Sequence, residues 1–250
     1  MVLTHLHPDH SGATVRLAEH WEQPAYVHPE ELPLAAGYQP AYAIPLDRWL
    51  VPLIRRLPKR TQAKIAAGSD LTAVVQAFDP QTAIPGLVDW EAIHTPGHTP
   101  GHISLYRRSD GVLITGDAVI TVDLNSLLGI LTSRQGVFGP PRYSTWDWAA
   151  AQRSIAALAA LEPRLLATGH GPVRVDETAP ALQALAGGQE VPARWRHGLF
   201  AGVDYSARSR YRPPPALYQR VQKRLGPFLM SLGLWPKQVV CWRFLAGVRE

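Results

Sequence analysis

Four residues of types that commonly bind metal ions stand near the start of the chain, in the segment THLHPDH. In an extended segment, His5 and His7 lie two positions apart and point to the same side. Pro8 ends the extended stretch, so the following turn can direct Asp9 and His10 towards a second position. Imidazole nitrogens and carboxylate oxygens are the ligands of catalytic zinc sites, which leave coordination open for water. The spacing therefore indicates a catalytic metal site.

Three later residues of the same ligand types follow apolar stretches and stand beside or near glycines. They are His98 in TPGHTPGH, Asp117 in LITGDA and His170 in ATGHGP. Loops at one edge of a sheet can bring such residues to a common metal site. We therefore expect seven candidate ligands to converge on one rim of the fold.

The later motifs have a structural interpretation as well. Taken singly, each fits a capped turn; taken together with the opening segment, they indicate metal binding. His94 and His102 flank His98 at equal distances, and we expect them to support the site rather than to bind metal. His28 is expected to be a histidine at the end of a strand, and Tyr143 is an open candidate for contact with a substrate.

The elements that must position these residues alternate between short strands and helices. Three β-type runs, DWEAIHT, HISLYRR and GVLITGD, are separated by strong turn signals. A helix is predicted after the pattern Ser144-x-x-Asp147, and Ser11 is expected to cap an earlier helix. We predict that residues 34–64 form a mobile helical flap. The alternation favours a layered α/β body up to about residue 190.

In this order and at these separations, THLHPDH, TPGHTPGH, TGD and GHG resemble the metallo-β-lactamase superfamily over roughly residues 1–190. The resemblance implies an α/β (α+β) fold, the four-layer αββα sandwich, with a two-metal site at one edge of the paired sheets. It implies that the first metal is bound by His5, His7 and His98, and the second by Asp9, His10 and His170, with Asp117 bridging the two.

The resemblance also implies hydrolysis that depends on two divalent metal ions. Zinc is the first expectation, and iron and manganese stay open because this ligand set does not select among them. Bound metal lowers the pKa of water from about 16 to about 7 and so supplies hydroxide, while Asp9 is the expected catalytic proton acceptor. The expected substrate is a small ester, thioester or lactam-type molecule, as for glyoxalase II-like or lactonase-like members. A nuclease or phosphodiesterase on the same fold, and an inactive truncated fragment, are the alternatives.

Charge divides the chain into two parts. Residues 1–193 contain 14 Lys+Arg and 18 Asp+Glu, a net charge of −4 (14 − 18), whereas residues 194–250 contain 11 and 2, a net charge of +9 (11 − 2). We predict a metallo-β-lactamase-like catalytic domain over residues 1–193. Residues 194–250 are predicted to be a basic helical extension, or a truncated second domain, and are the one feature that favours nucleic acid as a partner.

Cysteine content and hydropathy indicate the cellular compartment to expect for this protein. Cys241 is the single cysteine of the sequence, which excludes an internal disulfide framework. The sequence shows neither a secretory signal pattern nor a run of about 20 apolar residues. We therefore expect a protein of the reducing cytoplasm, with its oligomeric state left open.

The position of the opening motif gives one further expectation. Superfamily members normally have several strands before it, and here only Val2 and Leu3 stand for the strand that delivers the histidines. We expect an N-terminally incomplete chain with an exposed sheet edge.

Overall fold

The computed structural model of this 250-residue chain describes residues 1–188 and 191–192. The helices are α1 Pro8–Ser11, α2 Thr14–Trp21, α3 Leu32–Ala35, α4 Asp47–Arg55, α5 Lys59–Ser69, α6 Leu127–Thr132, α7 Trp148–Ala159 and α8 Thr178–Ala186. The strands are β1 Ala25–Val27, β2 Val75–Ala77, β3 Glu91–His94, β4 Ile103–Arg107, β5 Val112–Ile114, β6 Ile120–Val122, β7 Gln135–Phe138, β8 Leu165–Ala167 and β9 Val191–Pro192. Short 3-10 helices cover Pro29–Glu31, Pro40–Tyr42 and Arg142–Ser144.

The strands form three sheets. The largest has the order β3-β4-β5-β8, with antiparallel pairing of β3 with β4 and of β4 with β5, and parallel pairing of β5 with β8. β1 and β2 form a parallel pair, and β6, β7 and β9 form an antiparallel sheet. The expected mixture of helices and sheets is confirmed. The predicted extension over 194–250 lies outside the described residues, so the domain division stays a prediction.

The first residues of the chain connect the smallest sheet to the largest one. Val2 forms a parallel bridge with Tyr26 of β1, and the Leu3 N–H donates to the Tyr26 carbonyl at 3.0 Å. On the other side, the Ile103 N–H of β4 donates to the Thr4 carbonyl at 2.9 Å. Residues 2–4 are therefore fixed from two directions, and the candidate ligands follow immediately.

Two apolar clusters hold these layers together. In the larger one, α7 and α8 pack on β5 and β8, and each fully buried aliphatic side chain contributes about 1.5–3 kcal/mol. Its fully buried members include Leu113, Val119, Val137, Ile155, Leu158, Leu166 and Leu182. The smaller cluster joins the start of the chain to β1, β2 and α3 through Leu3, Leu6, Ala25, Val27, Ala35, Leu71 and Val75.

The two predicted serine caps are wrong. Helix α7 begins at Trp148, and its N-cap is Asp147, whose carboxylate accepts from the Ala150 N–H at 3.0 Å. Ser144 instead ends a 3-10 helix. The Ser11 hydroxyl donates to the Leu6 carbonyl at 3.0 Å and so braces the ligand-bearing turn rather than capping α2.

The flap segment is helical, as predicted, and contains α4 and much of α5. Its mobility stays a prediction. Within the described residues, none of the helices is long and apolar enough to cross a bilayer.

Candidate metal centre

All seven predicted ligands lie together in two adjacent groups. We call His5, His7 and His98 the first cluster, and Asp9, His10, Asp117 and His170 the second cluster. Within each cluster, one nitrogen or oxygen atom from every side chain lies within 4.8 Å of the others. The structure therefore brings together the residues that the sequence motifs singled out.

Strand ends explain this convergence. β5 and β8 are neighbouring parallel strands, and their carboxyl ends therefore lie at the same edge of the sheet. Asp117 follows β5 by three residues and His170 follows β8 by three residues. His98 lies in the turn between β3 and β4, close to where the Thr4 carbonyl meets β4.

The first cluster contains three closely packed imidazoles, of which His5 and His98 are buried and His7 is partly buried. His7 Nδ1 lies 2.8 Å from His98 Nε2, and the His5 and His98 ring centroids are 4.8 Å apart. Burial holds the pKa of His5 well below its usual value and lowers the pKa of His7 to about 3. The rings of His5 and His7 are therefore neutral at pH 7, the state in which an imidazole binds a metal ion.

The tautomer of His98 follows from its neighbour Thr145. The Thr145 hydroxyl donates to the Pro141 carbonyl at 2.7 Å, so its oxygen accepts from His98 Nδ1–H, 3.3 Å away. Nε2 of His98 is then an unprotonated acceptor. This nitrogen faces the cluster, as expected for a ligand oriented by a hydrogen bond to its other nitrogen.

The second cluster is built around paired opposite charges. His170 Nε2 lies 3.2 Å from Oδ2 of Asp9 and 3.2 Å from Oδ2 of Asp117. Burial opposes protonation of His170, but its hydrogen bonds to Asp117 and Asp9 outweigh burial and raise its pKa to about 10. Burial likewise opposes ionisation of Asp117, yet the close contacts of its carboxylate with the imidazoles of His10 and His170 hold its pKa well below the usual range.

Unsatisfied buried atoms test whether these residues fit metal ions. His5 Nε2 is buried and has no hydrogen-bond partner among the described residues, and the buried His10 Nε2 and Asp117 Oδ1 lie 3.2 Å apart without the geometry of a hydrogen bond. Buried polar atoms in native proteins have a partner in roughly 90% of cases or more. In addition, the acceptor His98 Nε2 lies 3.3 Å from the acceptor Asp117 Oδ2. Cations placed between these atoms would give His5, His10, His98 and Asp117 a partner for their lone pairs. Both clusters therefore fit divalent metal ions.

His102, expected to have a supporting role, lies behind the second cluster. Its Nε2 accepts from the Asp117 N–H at 3.1 Å, and its Nδ1 lies 2.8 Å from the Thr95 hydroxyl. Burial holds the pKa of His102 well below its usual value, so the ring stays neutral and keeps the lone pair that this contact needs. His102 therefore fixes the backbone that carries Asp117.

A third group of ligand-type side chains consists of His28, Glu30 and His94. The His28 and His94 rings are stacked, with centroids 4.0 Å apart and an interplanar angle of 14°. Parallel rings direct their in-plane lone pairs side by side rather than towards one point, which disfavours a shared metal ion. His28 directly follows β1, as predicted.

Solvent reaches the centre from the side of the second cluster. His5 is fully buried, whereas the Asp9 side chain is 52% exposed. Burial and the negative charges of Asp117 and Asp9 raise the pKa of Tyr143. Its role as a substrate contact stays a prediction. A cleft nearby is lined by Pro45, Arg142, Thr145, Trp146 and Trp148, and it adjoins His98 through Thr145.

The family model described as the metallo-beta-lactamase superfamily matches residues 1–170. The chain belongs to this superfamily. Membership confirms the expected fold class, the mixed α and β sandwich. The His and Asp clusters described above fit divalent metal ions, which this fold binds in pairs.

The chain also resembles individual proteins. The chain is 41% identical over 174 residues to the probable metallo-hydrolase YflN of Bacillus subtilis, an alignment that covers 68% of the chain and 63% of that relative. It is 28% identical over 121 residues to hydroxyacylglutathione hydrolase GloC of Haemophilus influenzae, covering 48% of the chain and 49% of the relative. A metallo-beta-lactamase family protein from Thermus thermophilus superposes with a TM-score of 0.49 and 23% identity, covering 75% of the chain and 59% of the neighbour. The chain thus spans less than two thirds of the length of the relative it matches at 41% identity.

Proposed function

We propose that this protein is a hydrolase that uses two divalent metal ions, zinc in the first instance, to cleave a small ester, thioester or lactam-type substrate. One observation carries the proposal: two adjacent clusters of His and Asp side chains meet at Asp117, and three of their buried polar atoms, His5 Nε2, His10 Nε2 and Asp117 Oδ1, make no well-formed hydrogen bond within the described residues. The resemblance to a hydroxyacylglutathione hydrolase supports a carbonyl substrate of the thioester kind.

The residues divide into three roles in this proposal. The first cluster would hold one metal ion, and the other ion would be held by Asp9, His10 and His170. Asp117 would serve both ions, because its carboxylate contacts histidines of both clusters. When bound, such ions lower the pKa of water and polarise the oxygen of the substrate carbonyl.

Asp9 is the proposed acceptor of the proton that the attacking water loses. Burial opposes its ionisation, but the hydrogen bond with His170 and the charge of His10 outweigh burial and hold the pKa of Asp9 below its usual value. The carboxylate is therefore ionised at neutral pH. Its half-exposed position allows it to contact both water and substrate, which a general base must do.

The test is metal analysis followed by a substrate panel. Full-length chain is purified, its metal content is measured by elemental analysis, and thioesters, lactones and β-lactams are assayed before and after chelation. We expect about two equivalents of metal per chain, and hydrolysis of at least one carbonyl class that is lost on chelation and restored by zinc, iron or manganese. A folded chain that retains no metal after exposure to all three would overturn the proposal.

A phosphodiester substrate in the same panel tests the nuclease alternative. That alternative draws its support from residues 194–250, which lie outside the described residues. Metal-dependent cleavage of bis(p-nitrophenyl) phosphate without cleavage of any carbonyl substrate would replace the present proposal by the phosphodiesterase one.

A further inference from the structure

Glu31 is a carboxylate that lies outside both clusters and is completely buried, with 0% of its surface exposed. It ends the short 3-10 helix that follows β1. Its neighbour Glu30 is exposed, so the two successive glutamates occupy opposite environments. Removing a carboxylate from water costs several kcal/mol unless hydrogen bonds compensate. The position of Glu31 therefore depends on the partners that its two oxygens find.

Those partners belong to two separate loops. Oε1 of Glu31 accepts from the Leu6 N–H at 2.8 Å. Oε2 accepts from the Thr99 hydroxyl at 2.7 Å and from the Gly101 N–H at 2.9 Å. Leu6 stands between His5 and His7, and Thr99 directly follows His98. One carboxylate thus connects the two segments that supply every residue of the first cluster.

The backbone around Glu31 is fitted to the same loop. A Cβ atom built on Gly101 would lie 2.2 Å from the Glu31 nitrogen, a distance that real side chains do not adopt. The main chain of residues 30–31 therefore lies directly against Gly101. With the Ile103 to Thr4 hydrogen bond of 2.9 Å, the Glu31 contacts give the two ligand segments a second, separate connection.

We propose that Glu31 is a positioning residue that fixes the relative positions of the ligands in the first cluster, because its carboxylate holds the segment containing His5 and His7 against the loop containing His98. The proposal rests on the proposed function, in which the cluster binds a metal ion. Hydrogen bonds that orient ligands contribute to metal affinity without touching the metal, and their loss typically costs about 10- to 100-fold.

Glu31→Gln tests the carboxylate with little change of shape. A glutamine keeps one acceptor oxygen and gains an NH2 group. In either orientation that NH2 faces a backbone N–H, of Leu6 or of Gly101, so one connection is replaced by two opposed donors. Glu30→Gln is the matched control, because it makes the same chemical change at the exposed neighbour.

The experiment measures binding of Zn²⁺ to metal-free, full-length chain by competition with a chromophoric chelator. To separate the clusters, each variant is also made with His170→Ala, which leaves the first cluster intact, or with His7→Ala, which leaves the second. We expect Glu31→Gln to weaken Zn²⁺ binding about 10- to 100-fold in the His170→Ala background and less than about threefold in the His7→Ala background. Glu30→Gln is expected to match its parent in both.

Cooperative urea unfolding shows that each variant is folded. If Glu31→Gln does not fold, Thr99→Val removes a single donor and is expected to weaken the first cluster, while Thr99→Ser, which keeps the hydroxyl, restores it. Equal weakening of both clusters would overturn the positioning role in favour of a general structural one, and so would parental affinity of folded Glu31→Gln. A wild-type chain that binds no Zn²⁺, Fe²⁺ or Mn²⁺ would instead overturn the proposed function, and this proposal with it.

Discussion

Asp117 Oδ2 lies 3.3 Å from His98 Nε2 of the first cluster and 3.2 Å from His170 Nε2 of the second, so a single carboxylate oxygen contacts both clusters. The other oxygen, Oδ1, lies 3.2 Å from His10 Nε2. Asp9 differs, because within the part of the chain that the structure describes its ion-pair partners are His10 and His170, both of the second cluster.

This difference predicts that Asp117→Asn and Asp9→Asn have distinct effects on metal content. Asp117→Asn removes the negative charge next to both clusters, and we expect metal content to fall below one equivalent per chain. Asp9→Asn is expected to keep about one equivalent and to lose hydrolysis by more than about 100-fold, beyond the range typical of outer partners. Elemental analysis after dialysis measures the metal content of both variants, and a hydrolysis assay measures the activity of Asp9→Asn. Asp110→Asn, at an exposed partner of Arg107, is the control. Equal metal content in the two variants would contradict a shared role for Asp117.

The charge states of the two clusters predict different proton release on metal binding. Burial keeps His7 neutral, with its pKa lowered to about 3, whereas hydrogen bonds to two carboxylates outweigh burial and raise the pKa of His170 to about 10. Because a ligand imidazole must be neutral, the second cluster has to lose the proton of His170 when it binds metal at pH 7, whereas His5 and His7 are already neutral. The metal affinity of the second cluster should therefore rise with pH.

Calorimetric titration with Zn²⁺ in buffers of different ionisation enthalpy measures this release. We expect the second cluster to release more than one proton between pH 6 and 8, because the pKa of His10 is raised as well: burial lowers it, but the hydrogen bond and charge of Asp117 outweigh burial. His170→Ala should reduce the release by about one proton while leaving the first cluster able to bind. A release equal to that of the wild type in this variant would contradict the assignment.

Glu31 predicts a pH dependence of stability in the metal-free protein. Burial raises the pKa of its carboxyl to about 7, against hydrogen bonds from Thr99, Leu6 and Gly101 that lower it. Because the folded pKa exceeds the ordinary value of 4.5, the folded state holds the proton more tightly. The stability that this tighter proton binding adds to the folded state is fully present below about pH 4.5 and is lost as pH rises through about 7.

The direction of this pH dependence can be checked by comparison with Glu31→Gln, whose side chain cannot ionise at this position. The free energy of unfolding of the wild type, relative to the variant, should fall by roughly 3 kcal/mol between pH 4.5 and pH 8. Urea unfolding of both proteins without metal, at four pH values across this range, measures the difference, since groups common to both cancel. A difference independent of pH would contradict the raised pKa.

The sequence motifs predicted the seven candidate ligands but not the residues that hold them in place. Local patterns identified His5 to His10 because those residues are adjacent, and glycines and apolar runs marked the three later positions. Glu31 could not be found this way, because its partners lie 25, 68 and 70 residues away and only the tertiary fold brings them together. The sequence HPEE alone does not tell which glutamate is buried.

The helix caps show the same limit at short range. Ser11 has the residue type and position of an N-cap, but the carbonyl of Leu6 offers its hydroxyl a partner in the ligand-bearing turn. At α7, Asp147 reaches the Ala150 N–H and begins the helix after Ser144 has already ended the preceding 3-10 helix. Competing hydrogen-bond partners, which a local pattern does not contain, decided both cases.

Gly169 lies directly against the second cluster, with no room for a side chain. A Cβ atom at this position would lie 2.2 Å from Asp117 Oδ1 and 2.7 Å from His10 Cε1. Gly169→Ala therefore has to displace one of these ligands, and we expect loss of about one equivalent of metal and of hydrolysis while the first cluster still binds. Gly68→Ala, in helix α5 with nothing within 4 Å of the added carbon, is the control, and we expect it to keep both metals and to gain about 0.4–1 kcal/mol of stability. Elemental analysis and urea unfolding of the two variants measure these outcomes. If Gly169→Ala kept two metals with wild-type affinity, Asp117 and His10 could not both be ligands in the positions described.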